Sequence, residues 1–350
     1  RSSRFVLRQE WSATGPLSPP AVLGDSVYVS TGDGHVLEDG KELAGSWGRT
    51  TAAAPAVGSA GLFLALAGGE GLLQLRSGSD PVVWSGAFGE GTPEAFAVDG
   101  NGRALAWLAE GRELVLARRD GVIHRWPAPE PTEVAVDARL NLCVSWSREP
   151  GGSLEVHDAG SGRSLWAREG ILAAPVLFPD ALVAALGPTD APRVEAFEPV
   201  SGRPLWQAAI EPGVREILGH GNSLRVLGIG PEGATVVRLP AHASGPVVTV
   251  DPSETIVFPG IPPLRGSAVA GSVLYARHAD GEGLIALDLE DEWVLFTWRA
   301  PAGVRISAPV VDRGRVIVSG SDGIVRVFAA ADPHVSGWPC ERGNGERTGE

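Results

Sequence analysis

Cysteine is nearly absent. Cys143 and Cys340 are the two in 350 residues, and they lie far apart in the chain. A small secreted disulfide scaffold would carry more. The pair is open to two states: a bridge, if the fold brings the chain ends together, or two unpaired thiols. Lysine is rarer still, with Lys41 alone, and the net charge is −13. Such a chain lacks the basic surface that neutralises phosphates, so nucleic acid and anionic membrane surfaces are poor partners. No run approaches the roughly 20 apolar residues of a membrane-spanning helix. The longest candidates, Gly61–Ala67 and Leu177–Leu186, are short or broken by Pro179 and Asp180. The first residue is Arg1, so a targeting signal is not legible in this sequence.

Metal and nucleophile motifs are missing as well. The seven histidines form no H-x-x-x-H or H-x-H, and there is no C-x-x-C. Asp99-Gly100-Asn101-Gly102 lacks the remaining ligands of a calcium loop and reads as a hairpin turn. Gly320-Ser321-Asp322-Gly323 is not G-x-S-x-G and falls on an expected hairpin. Gly68-Gly69-Glu70-Gly71 opens no helix, so it cradles no phosphate.

Apolar residues are plentiful, at 43%, with 47 Gly and 28 Pro spread along the chain. That composition suits a sizeable core built from short strands and many turns. A repeat organises it. Apolar strand starts recur at Val22, Val57, Val98, Val136, Leu177, Leu218, Val269 and Val311, mostly 35 to 42 residues apart. A tryptophan closes most units: Trp11, Trp47, Trp84, Trp126, Trp166, Trp206 and Trp298. The spacing is that of a four-stranded propeller blade. No segment holds a 3.6-residue apolar period, which argues against a helical solenoid. Eight starts predict an all-β, eight-bladed propeller over residues 1–338, followed by a tail, 339–350. Trp11 precedes the first start and the last unit lacks a fourth strand. The segment Arg4–Trp11 is therefore expected to close the last blade beside Ile324–Phe328. Trp107, Trp146 and Trp293 fall off the register and are expected in core or blade-interface packing.

Two units, ending in Ser161-Gly162-Arg163-Ser164-Leu165-Trp166 and Ser201-Gly202-Arg203-Pro204-Leu205-Trp206, resemble the PQQ-like repeat family. The tail from Trp338-Pro339 through Arg342-Gly343 to Thr348-Gly349 resembles a segment that often flanks bacterial propellers of this kind. That family holds large quinoprotein dehydrogenases and smaller non-enzymatic propellers, among them an outer-membrane assembly lipoprotein. The size of this chain resembles the second group. The adjacent cysteines that stack on the quinone are absent, so no PQQ, calcium or other cofactor is expected. The resemblance implies a non-catalytic protein-binding scaffold, a subunit or assembly factor of a larger bacterial complex, periplasmic or envelope-associated. The alternatives are a PQQ- or metal-dependent enzyme with its site in the central channel, and a cytoplasmic adaptor propeller.

One interval is long. Leu218 to Val269 spans 51 residues, and the excess lies in Pro240–Arg265, where the closing Trp is lost. The pattern places a fourth strand at Val247–Val250 and leaves Ile256–Leu264 as an exposed apolar remainder. Loops on a rigid scaffold are where recognition concentrates. Ile256, Val257, Phe258, Ile261 and Leu264, with Trp338 and Arg342 of the tail, are the expected partner-binding residues.

Overall fold

The computed structural model describes residues 7–13, 15, 17–43, 50, 55–58, 61–67, 71–76, 79–88, 91–128, 130, 132–147, 149–211, 213–220, 223–242, 245–249, 254–330 and 338–339. Each apolar start becomes the first, innermost strand of a sheet. These strands are Ala21–Leu23, Ala56–Gly58, Pro93–Val98, Thr132–Asp137, Val176–Leu177, Glu216–His220, Leu264–Ala270 and Val310–Asp312. Eight antiparallel blades result. In the first seven, four strands hydrogen-bond in chain order from the channel outward. Two faces follow. One carries the outer-to-inner crossovers and the turns between second and third strands. The other carries the remaining hairpin turns. They are the crossover face and the hairpin face below.

Neighbouring blades cover both sides of each sheet. The second strands therefore lose the period-two alternation of half-exposed strands: Gly61–Leu66, Ala104–Leu108, Leu142–Ser147 and Leu182–Leu186 are buried along their whole length. The core is correspondingly divided between blades. One cluster packs Val183, Ala196 and Trp206 of blade five against Ile217, Val226 and Val237 of blade six.

The closing tryptophans use two registers on one strand face. Trp166 and Trp206 pair with Val156 and Ala196, directly after a bulge. Trp11, Trp84, Trp126 and Trp298 pair with Val325, Leu72, Leu114 and Leu284, two residues farther from it. Three indoles donate to the third turn of the next blade. Trp126 reaches Gly162 O at 2.7 Å, Trp166 reaches Pro199 O at 2.8 Å and Trp206 reaches Ala241 O at 3.2 Å. This gives the Ser-Gly-Arg turn its physical reason. Gly202 has φ of 66°, and a Cβ there would lie 2.5 Å from the Trp166 ring. Trp107 and Trp146 are buried, but Trp293 is 49% exposed on an outer strand, against the packing expected of it. Trp47 lies outside the described residues.

The ring closes as the repeat predicts. Leu7–Ser12 forms the outer strand of blade eight beside Ile324–Ala329. Residues 4–6 of the expected strand lie outside the described residues. Arg326 ties the junction together. It reaches Asp322 at 2.6 Å and Glu10 of the incoming strand at 3.2 Å, and stacks over Trp298 of blade seven at 5.5 Å.

Candidate partner-binding site

Blade six corrects the reading of the long interval. Its fourth strand is Thr255–Pro259, paired with Gly233–Pro240, and not Val247–Val250. Alternation on that strand turns Ile256 and Phe258 inward and Val257 outward. Phe258 is 2% exposed and fills the volume that a Trp closes elsewhere. Leu264 begins the inner strand of blade seven and is equally buried, while Ile256 and Ile261 pack on the same cluster. Of the five apolar residues expected in Ile256–Leu264, Phe258 and Leu264 are thus core, Ile256 and Ile261 are half-buried against it, and Val257 is exposed, at 39%. The prolines of that stretch misled the pattern, because Pro259 only ends the strand, and Pro262 and Pro263 follow it, where the chain crosses to the next blade.

The extra length before that strand folds onto blade five. Gln207 N–H donates to Pro246 O, and Val248 N–H donates to Gln207 O at 2.7 Å. Val248 packs on the interblade cluster, whereas Val247 is 64% exposed. The tail goes elsewhere. Trp338 pairs with Val269 and Pro339 with Ala268, adding a fifth strand on the channel side of blade seven. The six expected residues that are described therefore lie on separate elements, Ile256, Val257, Phe258 and Ile261 at the outer strand of blade six and the crossover after it, Leu264 on the inner strand of blade seven and Trp338 on the added strand. Arg342 and Cys340 lie outside the described residues.

What does converge is a cleft of about 470 Å³ on the crossover face, spanning blades four to seven. Its floor is apolar, with Trp146 of blade four, Ile171 and Leu172 of one crossover and Val214 of the next. Its rim is charged, with Glu133, Glu149, Arg215 and Arg265. The innermost strand of blade five, Val176–Leu177, is two residues long, which opens the space. The crossover before it is nonetheless held. Ile171 N–H donates to Gly152 O at 3.1 Å and Leu172 N–H to Ala185 O at 2.9 Å. Glu216, buried at the inner wall, accepts from Ser267 N–H at 3.2 Å and so links blades six and seven. Sequence patterning missed these residues because each is ordinary within its own repeat. Only ring geometry brings two crossovers together with the edges of blades four and seven.

The cleft lining described here includes no histidine or cysteine. Among the described residues, no group of three or more His, Cys, Asp and Glu is placed to hold a metal ion. Asp99 forms the expected hairpin, accepting Asn101 and Arg103 N–H at 3.0 and 2.8 Å. Its second oxygen takes the buried Arg103 guanidinium at 2.7 Å. Cys143 is a free, buried thiol, pushed up to about 12 by desolvation. In the two close repeat copies, Asp158 and Glu198 are held below the usual carboxylate range by hydrogen bonds, first from the Ser161 and Ser201 hydroxyls. These groups stabilise turns and do not face the cleft.

Comparison with known proteins agrees with this architecture. A PQQ-repeat family model, described as outer membrane protein assembly factor BamB, matches residues 193–342. No curated protein sequence matches the chain. The computationally designed protein Ika8 superposes with a TM-score of 0.64 at 15% identity, over 91% of this chain and 98% of its own. BamB from Moraxella catarrhalis gives 0.62 at 12% identity, over 93% and 100%. A chain of Kuenenia stuttgartiensis hydrazine synthase gives 0.54 at 14% identity, over 79% and 96%. At these identities the superpositions speak for the fold alone. Strand order and superpositions together make the chain an eight-bladed β-propeller, of which residues 193–342 match the PQQ-repeat family model.

Proposed function

We propose that the chain is a non-catalytic protein-binding scaffold, a subunit or assembly factor of a larger bacterial envelope complex. The observation that carries this reading is the crossover-face cleft, an apolar floor with a rim of both charge signs on a rigid closed ring. Such a surface suits an extended polypeptide, whose side chains use the floor and whose charges use the rim. The match to the assembly-factor family model supports the envelope setting. The apolar Val247 and Val257 on the outside of the ring are a secondary contact area in this reading.

The test is a pair of exposed charge reversals. Arg215→Glu sits on the cleft rim and Arg119→Glu on the hairpin face. We expect the first to weaken binding of the protein retained with the chain in native envelope extracts by at least about tenfold, roughly 1.4 kcal/mol. The second leaves binding unchanged, and neither moves the melting temperature. Equal effects of both substitutions, or of neither, would contradict a crossover-face site.

A further inference from the structure

The outer strand of a blade offers a row of backbone donors and acceptors to any other strand, unless charge, proline or a covering segment intervenes. In blade seven that strand is Trp293–Arg299, and it ends its sheet. Six residues in a row, Trp293–Trp298, carry neither charge nor proline. In the other outer strands a charge or a proline limits such a run to five residues or fewer. The run of five, Leu205–Ala209 in blade five, is covered by the chain itself, through Gln207 N–H to Pro246 O and Val248 N–H to Gln207 O. Among the described residues, no strand lies beyond Trp293–Arg299. Ala300 N–H donates inward, to Glu282 O at 2.9 Å. Alternation then points the N–H and C=O of Thr297 and Arg299 outward. Trp293 and Val294 are exposed beside this edge, as is Leu7 in the outer strand of blade eight. Charge marks the two ends. Exposed Glu290, Asp291 and Glu292 precede the strand, and exposed Arg299 closes it.

We propose that a second copy of this chain pairs antiparallel with Trp293–Arg299, joining two blades into one continuous sheet across a two-fold axis. Main-chain hydrogen bonds supply the pairing, as in any strand addition. The charged ends commit the edge to this occupant. With the axis at Leu295, Arg299 of each copy comes level with the acidic turn Glu290–Glu292 of the other, so the strand is complementary to itself. Parallel pairing in register would instead set like charges together. Trp293 of each copy comes level with Thr297 of the other, which covers apolar surface that a lone propeller leaves in water. The net charge of −13 opposes association in general, but that repulsion is long-range and screened by salt, whereas the two end contacts are short-range. None of these residues lines the cleft, so the dimer is independent of what the cleft binds.

Sedimentation equilibrium of the purified full chain, over a concentration series, is the test. We expect a monomer–dimer equilibrium. Thr297→Pro removes an outward N–H and leaves the bonds to the third strand in place, as proline on an edge strand can. It should weaken the dimer at least about tenfold without changing the far-ultraviolet circular dichroism of the monomer. Arg299→Glu and Asp291→Arg should each do the same, because each sets like charges at both ends of the pairing. An equimolar mixture of these two variants should dimerise again, since every end contact then joins opposite charges. A chain that stays monomeric up to about 0.1 mM overturns the proposal. A dimer indifferent to Thr297→Pro overturns it too, because the copies then meet elsewhere. So does a mixture that remains monomeric, which would mean that the two charged positions do not face each other across a two-fold axis.

Discussion

At the scale of single residues, the recurrent Ser-Gly-Arg turn and the tryptophan of the preceding blade form one device. Gly202 has the left-handed conformation, and its missing Cβ is the space the Trp166 indole fills. Gly303 also has positive φ, 78°, but has open space where a Cβ would stand. Comparing them separates backbone strain from crowding. Gly303→Ala should cost about 1–2 kcal/mol for an L-residue held left-handed. Gly202→Ala should cost a further 1–3 kcal/mol or so for overpacking against the indole. Urea denaturation of both variants checks this. Equal losses would mean that the glycine serves only its φ. The Ser-Gly-Arg-x-Leu-Trp motif was legible within one unit, but the contact of its glycine with the tryptophan of the preceding blade was not, because those two partners sit in different blades. Trp293 shows the converse. An aromatic residue resembles core in a list of letters, yet the register of blade seven turns it to solvent while Phe296, opposite Ala286, occupies the position of Trp166.

At the scale of elements, strand starts and ring closure were legible because each rests on a local apolar run and on a count of units. Blade six was not. Its fourth strand carries Phe258 where other blades carry Trp, and an apolar Pro-rich sequence gives no sign of which face will be covered. Closure makes the sharper prediction. The strand Leu7–Ser12 covers the edge of Ile324–Ala329, whose Val325 and Val327 are buried, and Arg326 links three partners across the seam. Arg326→Met leaves Asp322 and Glu10 without their cation and should cost about 1–3 kcal/mol, since both carboxylates keep some access to water. Removing residues 1–12 should lower the melting temperature further. It should also strip hydrogen-exchange protection from residues 324–329 while the inner strands of blades three to five stay protected. Unchanged melting after that truncation would mean the ring does not depend on its N-terminal strand.

At the scale of the whole molecule, eight similar sheets produce a site that none of them contains. The cleft exists because the crossovers entering blades five and six, together with the short innermost strand of blade five, leave a gap at the mouth of the channel. Trp338 and Pro339 add a strand at the channel edge of blade seven. No single repeat announces either feature. Both emerge when the chain is bent into a circle, which is why the proposed binding surface was the least readable part of the sequence. The proposed role requires this surface, on one face of the ring, to receive a partner protein. Electron cryo-microscopy of the chain isolated with its native partner would show it. A continuous segment of the second protein is expected over the cleft between blades four and seven, in contact with Leu172, Val214 and the Arg215 rim. A partner seated on the hairpin face, with the cleft empty of it, would rule that role out.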